Sequence, residues 1–291
     1  MKLLRYGPKG EEKPGLLDGG GRIRALSGHI NDITADLLAA EHFDSLVELD
    51  LDALPLIDDS PRLGAPLSGV GKILAIGLNY SDHAKETGAK PPTEPRLFTK
   101  AVTALNGPND PIVLPKGSKH SDWEVELAVI IGARAQYVEE SSALDYVAGY
   151  AVMNDVSERA WQKDRGGQWV KGKSFDTFAP LGPWLVTKDE IPDPQNLKLW
   201  LDVNGERRQD SNTSNMTFTV AFLVSYLSEF MTLMPGDVIT TGTPSGVGLG
   251  MKPPTFLNPG DVIKLGVEGL GGQRQTVKAW EDRHYGDSLL I

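Results

Sequence analysis

The sequence contains no cysteine and no long hydrophobic run. Without thiols the chain has no disulfide, no thiolate zinc site and no cysteine nucleophile. No apolar stretch approaches the roughly 18 residues that a membrane span requires. The N-terminal stretch MKLLRYGPKGEEKPG becomes charged at once and lacks the apolar segment of a signal peptide. We therefore expect a cytoplasmic protein with no membrane partner.

Positive charge is also scarce. The chain has 29 Lys and Arg against 39 Asp and Glu, a formal net charge of −10. General nucleic-acid binding is excluded because no basic excess supplies phosphate contacts. A small anionic substrate is still compatible, since a metal or a few lysines can outweigh the overall field locally. The five histidines show no zinc-ligand spacing.

The composition divides the chain into two regions. Residues 1–68 have short polar stretches and a glycine run, and they are predicted to form a small N-terminal α+β domain. Within it, NDITADLLAAEHF indicates a short helix that Asn31 or Asp32 could cap. Residues 69–291 are predicted to form the catalytic domain.

Strand patterns dominate the second region. We expect strands at 72–80, 123–132, 146–156 and 197–205, and a helix at 217–231 where apolar residues recur at helical spacing. Few long helices alternate with these strands, which argues against a Rossmann or TIM-barrel fold. The predicted fold class is mixed β with short helices.

The stretch SDWEVELAVIIG places two like charges on one buried strand. Glu124 and Glu126 are two residues apart, so their side chains point to the same face. Burying ionised carboxylates is costly unless a cation neutralises them. That cation is either an arginine or lysine from a neighbouring strand, or a hard divalent metal, whose preferred ligands are carboxylate oxygens.

A third carboxylate ends another apolar strand. Asp155 lies where GYAVMNDV turns polar, a position at which an aspartate often serves only as a turn or helix cap. Together with Glu124 and Glu126 it gives three carboxylates, enough for Mg²⁺ or Mn²⁺ completed by water or substrate oxygens.

Two further segments carry candidate catalytic groups. In GLNYSDHAKETG, His83 precedes Glu86 by three residues, so Glu86 could orient His83 as a general base, or the two could be an incidental surface pair. Lys171 and Lys173 are expected on a glycine-flanked, aromatic-rich strand, where a lysine usually extends to solvent.

Residues 239–250 are predicted to form a glycine-rich loop after a strand. ITTGTPSGVGLG matches no nucleotide motif, but its backbone N–H groups and Thr241 or Thr243 could bind a small oxyanion.

These phrases, in this order, resemble the fumarylacetoacetate hydrolase family: GLNYSDHAKE, DWEVELAVIIG, GYAVMNDVSERAWQ, KGKSFDTFAPLGP and MPGDVITTGTPSGVG. The resemblance runs from about residue 70 to 280. It implies a β-sheet roll, a homodimer, and Mg²⁺ or Mn²⁺ as cofactor.

The resemblance also implies roles for individual residues. Glu124, Glu126 and Asp155 would hold the metal, and His83, Glu86 and Lys173 would be catalytic. The residues that would bind the substrate are Gln162, Thr243, Lys171 and Tyr80.

The resemblance leaves the reaction open. Members of the family hydrolyse C–C bonds in diketo acids, decarboxylate oxaloacetate, isomerise dienoates or are labelled ureidoglycolate lyases. The prediction is metal-dependent hydrolysis of a 2,4-diketo acid with release of pyruvate. The subgroup that the sequence resembles most acts on 2,4-diketo-3-deoxy sugar acids, such as 2,4-diketo-3-deoxy-L-rhamnonate or 2,4-diketo-3-deoxy-fuconate. The alternative from a different functional class is a protein that binds a metal or a sugar acid and catalyses no reaction.

Overall fold

The computed structural model describes residues 1–39, 43, 46–57, 60–82, 86 and 92–281 of the 291. Most of the described chain forms strands. In chain order these are β1 (Lys2–Tyr6), β2 (Lys13–Leu17), β3 (Ile23–Ala25), β4 (Leu56–Ile57), β5 (Ile73–Gly77), β6 (Arg96–Lys100), β7 (Leu105–Asn106), β8 (Ile112–Val113), β9 (Ser121–Asp122), β10 (Val125–Ile131), β11 (Val147–Asn154), β12 (Ser157–Glu158), β13 (Ala179–Thr187), β14 (Lys198–Val203), β15 (Glu206–Asn212), β16 (Val238–Thr240), β17 (Val262–Val267) and β18 (Gly271–Lys278).

The strands of the described residues form a large mixed sheet and a smaller one. The large sheet has the order β4-β3-β2-β1-β13-β11-β10-β16-β5-β6, and β7 pairs with β13. The smaller sheet has the order β15-β14-β17-β18-β8, and β9 pairs separately with β12. Most neighbours are antiparallel, whereas β16 with β5, β13 with β7 and β18 with β8 are parallel. The predicted mixed β fold is confirmed.

Burial explains the position of each strand. All seven residues of β10 are buried, as expected for a central strand whose near-continuous apolar run is covered on both faces. In contrast, buried residues alternate along β14, which is typical of a strand with one face on the core. The smaller sheet contacts β10, β11 and β13, so the core lies between the two sheets.

The N-terminal strands extend the large sheet rather than standing apart from it. β1 pairs with β13, with Leu3 opposite Leu185, and β2 to β4 follow outward. The division into domains at residue 68 stays a prediction.

Helices are few and short. The α-helices that lie wholly in the described residues are α1 (Ala35–Leu38), α2 (Arg159–Lys163), α3 (Val170–Lys173) and α4 (Val220–Phe230). The predicted helix at 217–231 is α4, which begins after Thr219, whose hydroxyl accepts the N–H of Phe222. None of the helices in this part of the chain has the length and apolar character to span a bilayer.

Two local predictions were wrong. Thr34, and not Asn31 or Asp32, caps α1, because the helix begins only at Ala35; Asp32 instead forms an ion pair with Arg5. Lys171 and Lys173 lie on α3 and not on a strand. Gly172 allows this turn to approach α2 closely, since a Cβ there would lie 2.5 Å from the Glu158 carbonyl oxygen.

Candidate metal centre and active site

Strand pairing brings the three predicted carboxylates together. β10 and β11 are antiparallel, with Val125 opposite Asn154, so the start of β10 lies beside the end of β11. The Asp155 N–H donates to the Glu124 carbonyl at 2.9 Å. Glu124, Glu126 and Asp155 are all buried, and each offers an oxygen within 4.8 Å of the others.

The surroundings of Glu126 disfavour its charged form. Burial raises its pKa well above the usual range, and repulsion from Asp155 and Glu124 raises it further. Both of its described donors, the Thr240 hydroxyl and the Gly242 N–H, bond one oxygen, Oε2. Three buried carboxylates of this kind fit a hard divalent ion such as Mg²⁺ or Mn²⁺. They are the residues that could hold one.

Two lysines lie against the carboxylates. Lys173, at the end of α3, donates to Glu124 Oε2 at 2.5 Å and to Asp155 Oδ2 at 2.6 Å. Lys100, at the end of β6, donates to Asp155 Oδ1 at 2.5 Å. Burial lowers the pKa of Lys100, which faces one carboxylate. Burial also opposes the charge of Lys173, but Asp155 and Glu124 outweigh it and raise the pKa.

Arg159 completes the set of cations. As the first residue of α2 it lies 2.7 Å from Glu124 and 2.8 Å from Asp122, and it donates to Gln162 at 3.1 Å. Asp122 in turn accepts N–H bonds from Gly248 and Leu249. Burial lowers the pKa of Arg159, but the two carboxylates outweigh it and raise the pKa overall. The loop after β16 is therefore tied to the charged cluster.

A cavity of about 260 Å³ opens onto this cluster. Its base contains Glu124, Glu126, Arg159 and Lys173. The other lining residues are Ile76, Gly77, Leu78, Arg96, Phe98, Gln162, Lys163, Trp169, Thr243, Val247 and Leu249. Carboxylates, a lysine and an arginine at the closed end of a partly apolar cavity are typical of a small-molecule site.

Comparison with known proteins places the chain in a family. The family described as fumarylacetoacetate (FAA) hydrolase C-terminal matches residues 72–278. The chain belongs to the fumarylacetoacetate hydrolase family. It is 59% identical over 279 residues to a protein of Burkholderia cenocepacia (strain HI2424) that is named as a hydrolase, covering 96% of this chain and 99% of the relative.

Solved structures of the fumarylacetoacetate hydrolase family are similar over almost the whole chain. Fumarylacetoacetate hydrolase from Exiguobacterium antarcticum has a TM-score of 0.87 and 37% identity, covering 96% of this chain and 100% of that one. Maleylpyruvate hydrolase from Sphingobium sp. SYK-6, in complex with manganese(II) and pyruvate, has a TM-score of 0.81 and 29% identity, covering 97% and 100%. Isomerases of dienoic acids are also among the similar structures.

Two predicted substrate residues lie in the cavity. Gln162 and Thr243 are both buried there. The Thr243 hydroxyl donates to the Val125 carbonyl at 2.9 Å and accepts from Gln209 at 2.8 Å. Because that hydroxyl proton is already used, the backbone N–H of Thr243 is the better candidate donor to a substrate carboxylate.

Tyr80 and Lys171 lie outside the described cavity lining. Tyr80 is fully buried, and its hydroxyl has no hydrogen-bond partner among the described residues. Burial, with Glu126 and Asp82 nearby, raises its pKa well above the usual range. Lys171 is exposed and donates to the Arg165 carbonyl at 2.7 Å. Roles for both in binding substrate stay predictions.

The predicted catalytic dyad is described only in part. His83 lies outside the described residues. Glu86 accepts the Gly246 N–H at 2.9 Å, and a Cβ on Gly250 would lie 2.5 Å from its carboxyl carbon. Glu86 is thus held against the loop after β16.

The sequence interpretation missed Lys100, Arg159 and Asp122. Alternation along RLFTK puts Lys100 on the same face as Phe98, and Arg159 follows Asp155 by four residues. These were weak signals, since neither pattern specifies which distant carboxylate a cation will meet.

Proposed function

We propose that this protein hydrolyses the C3–C4 bond of an acylpyruvate-type 2,4-diketo acid and releases pyruvate. The carrying observation is a buried cluster of three carboxylates and Lys173, of which Glu124, Glu126 and Lys173 line one cavity. Membership of the fumarylacetoacetate hydrolase family supports the reaction class, as does a similar structure named as maleylpyruvate hydrolase.

Glu124, Glu126 and Asp155 would hold Mg²⁺ or Mn²⁺. A divalent ion bound there supplies Lewis-acid polarisation of substrate oxygens. The manganese in the similar maleylpyruvate hydrolase structure supports a metal, and the hardness of three carboxylates favours magnesium or manganese over zinc.

The chain's own residues supply positioning, proton transfer and charge stabilisation. His83, oriented by Glu86, would take a proton from water as the water oxygen bonds C4 of the substrate. The C3–C4 bond then breaks, C4 leaves as a carboxylate, and the electron pair stays on the pyruvate fragment as an enolate. Lys173 would stabilise that charge, and C3 takes up a proton to give pyruvate.

The remaining cavity residues would orient the substrate. Gln162 and Thr243 line the cavity, and the Gln162 side chain and the Thr243 backbone N–H would hold the substrate carboxylate. The apolar residues Leu78, Val247 and Leu249 would exclude water from the acyl tail. A homodimer is part of the proposal by resemblance to the family.

The test is an assay of the purified protein with acetylpyruvate and Mg²⁺ or Mn²⁺. We expect pyruvate and acetate in equal amounts, and no turnover after chelation. Carbon dioxide release from oxaloacetate without acetylpyruvate cleavage would indicate a decarboxylase instead. A metal-dependent melting shift without turnover of any diketo acid would indicate the catalytically silent binding protein. A sugar-acid 2,4-diketo acid in the same panel tests the predicted subgroup.

A further inference from the structure

The Asn154 side chain takes the place of a backbone group beside the carboxylate cluster. Continuing the register of β10 and β11 by one residue places Glu124 opposite Asp155, and such a pair can exchange two backbone hydrogen bonds. One of them runs from the Asp155 N–H to the Glu124 carbonyl at 2.9 Å. The Glu124 N–H instead donates to Asn154 Oδ1 at 3.2 Å, and the Asp155 carbonyl accepts the Ser157 hydroxyl at 3.0 Å. Asn154 and Asp155 therefore hold both backbone polar groups of Glu124.

Two glutamines of β18, in the smaller sheet, extend from Asn154 as a chain of buried amides. Asn154 Nδ2 donates to Gln275 Oε1 at 3.2 Å, and Gln275 Nε2 donates to Gln273 Oε1 at 2.7 Å. Gln273 Nε2 donates in turn to the carbonyls of Val152 and Gly182 at 2.7 and 3.0 Å. The chain thus runs from the core between the two sheets to the carboxylate cluster.

The far end of this amide chain fixes its direction. Two backbone carbonyls lie there and can only accept, so the NH₂ group of Gln273 faces them and its oxygen faces Gln275. The NH₂ group of Gln275 meets that oxygen and the Pro108 carbonyl at 2.6 Å, which leaves its own oxygen to Asn154. Asn154 Nδ2 is then directed to Gln275, and Oδ1 is left to accept the Glu124 N–H. A reversed Asn154 amide would leave buried donors unbonded, which is costly.

We propose that Asn154 is a positioning residue of the metal centre, and that Gln275 and Gln273 hold its amide in the orientation that Glu124 requires. This rests on the part of the proposed function in which Glu124 and Asp155 hold a divalent ion. Groups that orient metal ligands without touching the ion commonly affect its affinity. In this protein that group would join the two ligand residues directly, since Asn154 precedes one of them and bonds the other.

Titration of the metal-free protein with Mn²⁺ alone tests the positioning role. We expect Asn154→Ala to weaken Mn²⁺ binding about 10- to 100-fold, because Glu124 is no longer held beside Asp155. Gln275→Met keeps the length of the side chain but removes its amide, and should weaken binding less, since the Asn154 amide remains but is free to reverse. In the double variant the Mn²⁺ affinity should equal that of Asn154→Ala, because Gln275 acts only through Asn154.

Ser228→Ala is the matched control. The buried Ser228 hydroxyl, on α4 and outside the cavity lining, accepts the Val138 N–H at 2.9 Å. Its removal leaves a buried N–H without its acceptor, as Asn154→Ala does. We expect Ser228→Ala to lower the urea midpoint of unfolding, as Asn154→Ala also does, but to bind Mn²⁺ with wild-type affinity.

The possible outcomes separate the positioning role from simple stability. Wild-type Mn²⁺ affinity in both Asn154→Ala and Gln275→Met would overturn the positioning role, whatever their urea midpoints. If Gln275→Met weakens binding by its full factor in the Asn154→Ala background as well, the amide chain is overturned. Should Asn154→Ala fail to fold, Gln275→Met and Gln273→Met make the same comparison with Ser228→Ala.

The same titration distinguishes this proposal from the proposed reaction. Mn²⁺ binding by a wild-type protein that does not hydrolyse acetylpyruvate would overturn the reaction, and the positioning role would still be decided by the variants. If the wild-type protein binds no Mn²⁺, the metal centre of the proposed function fails and the positioning role falls with it.

Discussion

The ammonium of Lys173 lies 2.5 Å from Oε2 of Glu124, inside the carboxylate cluster. It also lies 2.6 Å from Asp155 and 5.1 Å from the ring centre of Phe98. The sequence alone allowed two explanations for how the charges of the paired glutamates are neutralised, by a basic side chain or by a divalent metal. In this structure basic side chains contact Glu124 and Asp155, and the cluster also has the donor set of a metal site. The two explanations are therefore compatible.

Replacing Lys173 by methionine should separate its structural and catalytic effects. Without its ammonium, buried carboxylates lose a partner, and we expect a loss of about 3–5 kcal/mol of unfolding free energy in metal-free protein. Added Mg²⁺ should raise the melting temperature of Lys173→Met more than that of the wild-type protein, because the ion relieves a larger repulsion. Turnover of acetylpyruvate should fall about 100-fold or more.

Lys171→Met is the matched comparison for stability. It removes the same charge from an exposed side chain two residues away, and its melting temperature should change little. Wild-type turnover in Lys173→Met would contradict the role of Lys173. An equal Mg²⁺ response in Lys173→Met and wild-type protein would contradict the electrostatic argument.

Glu126→Gln should affect the metal-free and metal-bound proteins in opposite directions. The amide keeps the shape of the side chain and removes a buried carboxyl group whose pKa burial and the neighbouring carboxylates raise, so the metal-free protein should melt at the same or a higher temperature. The stabilisation by Mg²⁺ should disappear along with turnover, because a carboxylate ligand is lost. Calorimetric titration with Mg²⁺ and melting curves in chelator measure both effects. Full activity of this variant in chelator would exclude the metal site.

The sequence was sufficient to predict the acidic part of the site because that part depends on local order. Two glutamates at alternate positions must share a strand face, and Asp155 ends the next strand along the chain, which pairs with β10 in antiparallel fashion. The apolar runs also predicted the central strands. When two strands follow each other in the chain and also pair in the sheet, the sequence alone predicts which of their residues lie close together.

The basic part of the site was much harder to predict. Lys100 lies 55 residues from Asp155, its partner, on β6, which β10, β16 and β5 separate from β11 in the sheet order. Lys173 was expected on a strand, but a glycine allows α3 to pack against α2. Long-range pairings of single cations depend on tertiary packing and leave no periodic signal in the chain.

Gln209 should matter for the site although it lies in the smaller sheet. Its buried amide accepts the Val125 N–H at 2.9 Å and donates to the Thr243 hydroxyl and the Pro244 carbonyl. It therefore ties the start of β10 to the loop that carries Thr243. Gln209→Leu leaves buried polar groups unsatisfied, and we expect a loss of about 2–4 kcal/mol in unfolding free energy.

Urea denaturation measures that loss, and the exposed Gln136→Leu is its control. The surviving folded Gln209→Leu protein should also show a raised KM for acetylpyruvate, because Thr243 is no longer held. A stability change as small as that of Gln136→Leu would refute the positioning role.

Gly77 should be intolerant of a side chain because of its contact with Trp169. It ends β5, and a Cβ there would lie 2.4 Å from Cζ3 of Trp169, too close for the indole to keep its place. In Gly77→Ala the indole must move within the cavity wall, at a cost of about 1–3 kcal/mol. We expect KM for acetylpyruvate to rise about tenfold and the tryptophan fluorescence to change, with Trp169→Phe identifying the part of the spectrum due to Trp169. Gly28→Ala adds the same methyl group where no atom lies within 4 Å, and should alter neither quantity. Unchanged fluorescence and KM in Gly77→Ala would mean that Trp169 does not shape the cavity.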